Sequence, residues 1–593
     1  MPYRRFIMAV ALVLMVSVVG FACGGAAATA TPEPWTTHSS DSGSYGVSGE
    51  PTPAPRNMSE PTTMPAEPLP ETDNDSWQWS SSSYSVQPTT VPQITANLDR
   101  MDSGLAPTAI PSATTFQDYR RSPLVDTSHD RISTFSLDSD RTSFQLALNW
   151  AREGYLVDPD SVRAEEWVNA FHYGYQGPSR EDSFAISSAM VEHPLRNGMH
   201  LARVTFQAPD IRDEDRPLNV TLVLDASGSM SDGNRVETAR AAADAIRRSL
   251  GSSDLIAVVQ FSDDVLHRYT VEHRRPNDRT VMDSIANLRP NQSTNVQAGL
   301  NLGVQMADRM RHERPDAHNY VILMSDGVAN VDATDPFAIL ESAGDRRSDN
   351  PLRLITIGVG INNYNDYLLE QLAQHGNGWY RYLDDESQAR ATFRRENWTT
   401  ISTPFADQTR AQVRWDPSAV ESWRLIGYEN RVTPDETFVQ NRKEFAEIPS
   451  GAATTVFYEV QLAHPAEDWG GQPIRLGDVH LRWVTPISGE TRQQDAEIRG
   501  YQNVRFDDPS DDMLRFGSIV ALASDRYSGL PYAEAEWPPE VGKDLRALKG
   551  RLDSLRPGLS HLDSYNDFAF VLRHLVNTLP RHEGRSGGSG YSP

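Results

Sequence analysis

The sequence predicts an α/β fold in which a doubly wound parallel sheet is set among flanking α+β, β-sandwich-like and helical segments. Two observations predict the central sheet. Four short apolar runs, at 220–224, 255–261, 320–324 and 354–359, are separated or followed by amphipathic stretches at 235–250, 296–310, 336–343 and 364–374. The runs are continuous in Val, Ile and Leu, which is the pattern of strands buried on both faces. A third observation sets the frame: the segments before and after this block alternate apolar and polar residues, the pattern of half-buried strands.

Taken from the start, Arg4 and Arg5 precede an apolar run at 6–22, and Cys23-Gly24-Gly25 follow it. A basic start, an apolar stretch and small residues describe an export signal over residues 1–23. The run is also near the length needed to span a bilayer, so an uncleaved anchor is the other reading. Cys23 is the single cysteine, which excludes an intrachain disulfide. Residues 24–115 are rich in Ser, Thr, Pro, Ala and Gly with no sustained period, as expected of an unfolded tether with a coil reach on the order of 50 Å.

Residues 116–215 read as an α+β module, with helices at 143–151 and 162–171 and strands at 184–188 and 201–206. The α/β block occupies 218–398. Residues 400–505 carry alternating segments at 411–415, 454–460 and 479–484 and read as a β-sandwich-like module. Residues 506–580 read as helical, and 581–593 as an unfolded Gly/Ser tail. The chain has 593 residues, 38% of them hydrophobic, and a formal charge of −25. The length calls for several domains, and the acidity argues against nucleic acid, whose phosphates need a basic face.

The chemistry concentrates at one edge of the sheet. Parallel sheets bind ligands at the carboxyl ends of their strands. Asp225, Ser227 and Ser229 follow the first run, Thr294 precedes the helix at 296, and Asp326 follows the third run. Two carboxylates and three hydroxyls form an all-oxygen set suited to a divalent cation: Mg²⁺ foremost, with Mn²⁺ or Ca²⁺ as alternatives. Two carboxylates balance the ion's charge and leave room for a carboxylate from outside.

Asp225-Ala226-Ser227-Gly228-Ser229, Thr294 and Ser325-Asp326-Gly327 resemble the metal-ion-dependent adhesion site of von Willebrand factor type A domains, whose fold is a Rossmann-like sheet. The resemblance implies that Ser227, Ser229 and Thr294 ligate the metal directly, and that Asp225 and Asp326 act mainly through water. Gln292 departs from that family, many members of which carry Gly there. Stretches at 123–138 and 423–431 resemble the N- and C-terminal modules of a bacterial lipoprotein subfamily, extending the likeness over about 116–579. Cys23 resembles the lipid-modified cysteine of bacterial lipoproteins, with Gly20 where Leu is usual.

The implied function is that of an extracytoplasmic protein, lipid-anchored to a bacterial cell membrane through Cys23. It would bind a protein partner whose Asp or Glu carboxylate completes the metal shell, and it would not be an enzyme. One alternative is an envelope scaffold in which the metal only stabilises the domain. Another is an extracytoplasmic hydrolase using Ser227, although the Gly-x-Ser-x-Gly elbow is absent and His312-Glu313 lacks the second histidine of a zinc motif. The strand context of Trp415, Trp423 and Trp483 places them in a core rather than on a carbohydrate-stacking surface. Asp263-Asp264 reads as a solvated loop.

Overall fold

A computed structural model describes residues 121–579, apart from 138–139, 212–215, 292, 328–337, 341–351, 361–365, 429–434, 436–437, 439–445, 465–472, 487, 502–504, 508–510, 529 and 531–537. The expected signal, Cys23, the tether, the tail and most of the helix expected at 336–343 lie outside those residues. Among the described residues no helix is long and apolar enough to cross a membrane.

The first segment runs β1 (Val125–Asp126), β2 (Ile132–Ser136), α1 (Thr142–Glu153), α2 (Ala164–Asn169), β3 (Ala185–Glu192) and β4 (Met199–Gln207). The central block follows with β5 (Leu218–Asp225), α3 (Arg235–Ser249), β6 (Leu255–Phe261), β7 (Val271–Arg274), α4 (Arg279–Ala286), α5 (Val296–Glu313), β8 (His318–Ser325), β9 (Arg353–Val359), α6 (Asp366–His375), β10 (Tyr380–Leu383), α7 (Glu386–Thr392) and α8 (Arg395–Ile401). The last segment holds β11 (Pro404–Trp415), β12 (Val420–Ile426), β13 (Ala446–Pro449), β14 (Ala453–Leu462), β15 (Ile474–Val484), β16 (Thr491–Gly500), α9 (Asp512–Ser528), α10 (Pro539–Leu559) and α11 (Asp563–Thr578).

The central sheet has the order β10-β9-β8-β5-β6-β7. It is parallel except for β7, an antiparallel edge strand that the sequence reading did not anticipate. Along β5, Val220, Leu222 and Leu224 pack toward the Ala-rich α3 and Val281 and Ile285 of α4. Val223 joins the opposite cluster, with Leu300 of α5 and Leu368, Leu369 and Leu372 of α6. Period-two strand geometry thus buries both faces. Gly299 and Gly303, one turn apart, let α5 lie close on the sheet. A Cβ at either would come within 2.4 Å of Phe261 or Val223 respectively.

The outer segments share their sheets. One sheet has the order β1-β12-β14-β4-β3, and β4 pairs with β14 from Met199↔Gln461 to Gln207↔Ala453. The second runs β13-β11-β15-β16, with β2 also paired to β11. Strands from 125–207 and 404–500 therefore interleave in one antiparallel body, and the α/β block is inserted between β4 and β11. Trp415, Trp423 and Trp483 are buried in its core, as their strand context indicates. The C-terminal helices close a second core with α1 and α2, in which Phe144, Trp167, Phe171, Phe516 and Phe568 meet edge-on.

Candidate functional site

β5 is the point where the chain's path across the sheet reverses: β6 lies on one side and β8 on the other. Crevices form at such reversals, beyond the carboxyl ends of the strands. Asp225 and Ser325 are the last residues of the adjacent strands β5 and β8. The Asp225 carboxylate is wholly buried. Its Oδ1 accepts from the Ser227 amide at 2.8 Å, a local turn that folds the loop back over the strand end. Its Oδ2 accepts from Ser325 Oγ at 2.5 Å, which locks the two strand ends together. Ser227 Oγ and Ser229 Oγ lie 3.1 Å apart.

Thr294 arrives on the loop before α5. The Asn291 amide donates to Ala226 O at 2.6 Å, and the Asn295 amide donates to Ser262 O at 2.7 Å. The Asn295 side chain also caps α5, accepting from the Ala298 amide at 2.9 Å. The loop is thereby pinned to the ends of β5 and β6, with Thr294 buried between the pins. Gln292 lies outside the described residues.

Asp326 follows β8 and is also wholly buried. Its Oδ2 accepts from Arg235 Nη1 at 2.8 Å. The same nitrogen donates to Ser229 O at 2.9 Å. One guanidinium therefore ties the third loop to the first. Gly360, just after β9, makes room for it: the residue has φ +87°, and a Cβ there would meet the Arg235 side chain at 2.3–2.8 Å. In the sequence Arg235 stands out only as the start of a helix. The signal present was a lone guanidinium, six residues past Ser229, opening an Ala-rich helix.

The electrostatics are unbalanced. Burial, followed by the charge of Asp326, pushes the Asp225 carboxyl up to about 7, although hydrogen bonds from Ser325 and Ser227 pull the other way. Among the described residues, two buried carboxylates meet one guanidinium, which leaves net negative charge in a low-dielectric site and disfavours ionisation. A divalent cation fits that surplus, and the donors present are all oxygen. Among the described residues no group of three or more His, Cys, Asp or Glu side chains converges to hold a metal, so a site at this edge draws on its hydroxyls.

Other residues singled out in the sequence lie elsewhere. Asp263 and Asp264 are exposed, as are His312 and Glu313 at the end of α5. Among the described residues, the side chains hydrogen-bonded to Ser227 are those of Ser229 and Asp225, and no histidine is among its partners.

The von Willebrand factor type A domain family matches residues 219–402. A family described as von Willebrand factor matches 111–203, and one described as Uncharacterized protein YfbK, C-terminal, matches 400–543. Uncharacterized protein YfbK of Escherichia coli (strain K12) is 28% identical over 448 residues, covering 72% of this chain and 76% of that protein. Uncharacterized protein sll0103 of Synechocystis is 28% identical over 323 residues, covering 54% of this chain and 74% of that protein. A solved von Willebrand factor type A structure from Catenulispora acidiphila aligns at 17% identity with a TM-score of 0.36, covering 68% of this chain and 88% of that one.

Proposed function

We propose, on the premise that residues 219–402 are a von Willebrand factor type A domain, that this domain holds a divalent cation and uses it to grip a partner protein through an Asp or Glu side chain. Asp225, Ser227, Ser229, Thr294 and Asp326 would hold the ion, Mg²⁺ foremost. When bound, the ion supplies an electrophilic position to which an outside carboxylate can attach. The observation that carries this reading is the meeting of three loops around two wholly buried carboxylates, one of them pushed toward neutrality.

The chain's own residues explain why the site is suited to binding. Ser325 and the Ser227 amide fix both oxygens of Asp225, and two backbone hydrogen bonds fix the Thr294 loop. A preorganised site loses little freedom when a ligand arrives. Among the described residues no histidine is bonded to Ser227 Oγ, which favours binding over nucleophilic chemistry. The N-terminal features support a location outside the cytoplasm, with the chain held at a membrane through Cys23 or through the apolar run itself.

Titration calorimetry of Mg²⁺ and Mn²⁺ into the chelator-stripped chain tests the metal. One saturable site is expected, and it is lost in Asp225→Ala. Capture of a partner from envelope extract should then disappear both with chelator and with that variant. Capture indifferent to chelator overturns the grip. Metal binding with no partner at all leaves the ion a stabiliser of an envelope scaffold. Mass spectrometry of the mature N-terminus tests the lipid: a chain that still begins at Met1 removes the lipidated cysteine.

A further inference from the structure

Arg235 is almost wholly buried, yet it lies at the first position of α3, where most arginines reach solvent. Its Nη1 bonds Asp326 Oδ2 at 2.8 Å and Ser229 O at 2.9 Å. Its Nη2 is buried with no hydrogen-bond partner among the described residues. The side chain passes over Gly360, a position that admits no Cβ without displacing it. The fold thus accommodates a buried cation at the point where two of the proposed metal-holding loops meet.

We infer that Arg235 is a built-in counter-charge for this site: it holds the Ser229 and Asp326 loops together when no ion is bound, and it weakens the site's hold on the divalent cation. The inference rests on the metal reading above and deepens it. A fixed positive charge beside a cation site opposes the incoming ion. A guanidinium bonded to Asp326 Oδ2 also competes for that oxygen. In exchange, the site stays assembled without metal, because Asp326 does not face burial as an unpaired charge. Arg235 acts through Ser229 and Asp326, so it is a positioning residue. The ion bound beside it would exchange more readily, and its residual charge would favour an anionic ligand.

The test compares wild type, Arg235→Met, Arg235→Lys and the double variant Arg235→Met/Asp326→Asn, using Mg²⁺ and Mn²⁺ alone as probes. Readouts are calorimetric Kd and thermal melting with chelator and with metal. Arg235→Met should melt lower than wild type in chelator, bind metal about tenfold more tightly, and gain more Tm on adding metal. Arg235→Lys, which keeps the charge, should bind metal within about threefold of wild type. The double variant should regain much of the chelated Tm, because it removes both members of the buried pair. If Arg235→Met does not fold, recovery of folding in the double variant supports the same charge balance.

A wild-type chain that binds no metal defeats the underlying reading. A wild-type chain that binds metal, with Arg235→Met leaving both the Kd and the metal-induced shift unchanged, defeats the inference alone. So does a double variant no more stable than the single one.

Discussion

Two buried clusters of charge sit in this chain, and burial leaves them in opposite states. In the antiparallel body, Glu459 accepts from Arg424 Nε at 2.6 Å and from Arg196 Nη1 at 3.3 Å. His193 Nδ1 accepts from the Leu195 and Arg196 amides, each at 3.0 Å, which leaves Nε2 to carry its proton toward Glu459 Oε1, 3.0 Å away. Arg424 also spans Asp525 with two bonds, at 2.7 and 2.9 Å. Burial pushes the Glu459 carboxyl up, but the His193 hydrogen bond and Arg424 outweigh it and hold it well below the usual carboxylate range. At the sheet edge the balance reverses: among the described residues Asp225 receives hydroxyl and amide protons, and burial together with Asp326 pushes it up to about 7. A saturated cluster is a structural clasp, whereas an undersaturated one is the state that the proposed cation would relieve.

The largest expected effect breaks the clasp. Arg424→Met leaves Glu459 and Asp525 buried without their shared guanidinium and should cost ~3–5 kcal/mol, read as a lower urea midpoint. Asp225→Asn, measured in chelator, should cost almost nothing or stabilise, because it removes a charge the fold holds poorly. If both substitutions destabilise equally, the contrast between the clusters is wrong.

Metal should separate them next. At a Mg²⁺ concentration a hundred times Kd, binding to the folded state alone adds ~2.7 kcal/mol. That gain should raise the Tm of wild type and of Glu459→Gln, and vanish in Asp225→Asn. A gain that survives in Asp225→Asn would place the ion elsewhere.

How far this was legible in the sequence follows from which physical signal each feature leaves. Strands β5, β6, β8 and β9 were plain, because burial on both faces demands continuous apolar runs. Asp225, Ser227, Ser229, Thr294 and Asp326 could be named because each stands next to such a run or to a helix start, and strand direction then assigns them to one edge. The partnership of β4 with β14 left no local trace. Alternation says which face a residue takes, not which strand lies beside it, so 116–215 and 400–505 read as separate modules although they share sheets. β7 is short and half-exposed, with too few apolar residues to stand out. Arg235 was missed for a related reason: its partners Ser229 and Asp326 lie on two different loops, and a charged residue at a helix start is ordinary until Asp326 is seen beside it.

Acid should move the two clusters in opposite directions. Glu459 has its pKa lowered by folding, so its contribution is present above the unfolded value of about 4.5 and is lost as pH falls below it. Asp225 has its pKa raised by folding, so the folded state binds the extra proton between about 4 and 7. In chelator, stability should therefore fall as pH rises through that window, by up to ~1.4 kcal/mol per unit of separation. Asp225→Asn should flatten that slope, and Glu459→Gln should flatten the acid limb. With Mg²⁺ present the upper slope should weaken, because the ion and the proton compete for the same carboxylate. Melting profiles from pH 3.5 to 8 check all three. An Asp225→Asn profile that keeps the wild-type slope would detach it from this residue.

The smallest effect is the control that gives the comparison its meaning. Lys549 Nζ meets Asp553 Oδ2 at 2.7 Å across one turn of α10, the same length as the bond from Arg424 Nη1 to Asp525 Oδ1. Distance alone would rank them equal. Asp553 is 57% exposed and Asp525 1%, so water screens the first pair and solvates either partner left behind. Lys549→Ala should move stability by no more than ~0.5 kcal/mol, several times less than Arg424→Met. A loss comparable to that of Arg424→Met would mean that contact rather than burial sets the worth of a charge in this chain. The different states of Glu459 and Asp225 would then need a cause other than how completely each buried charge is answered.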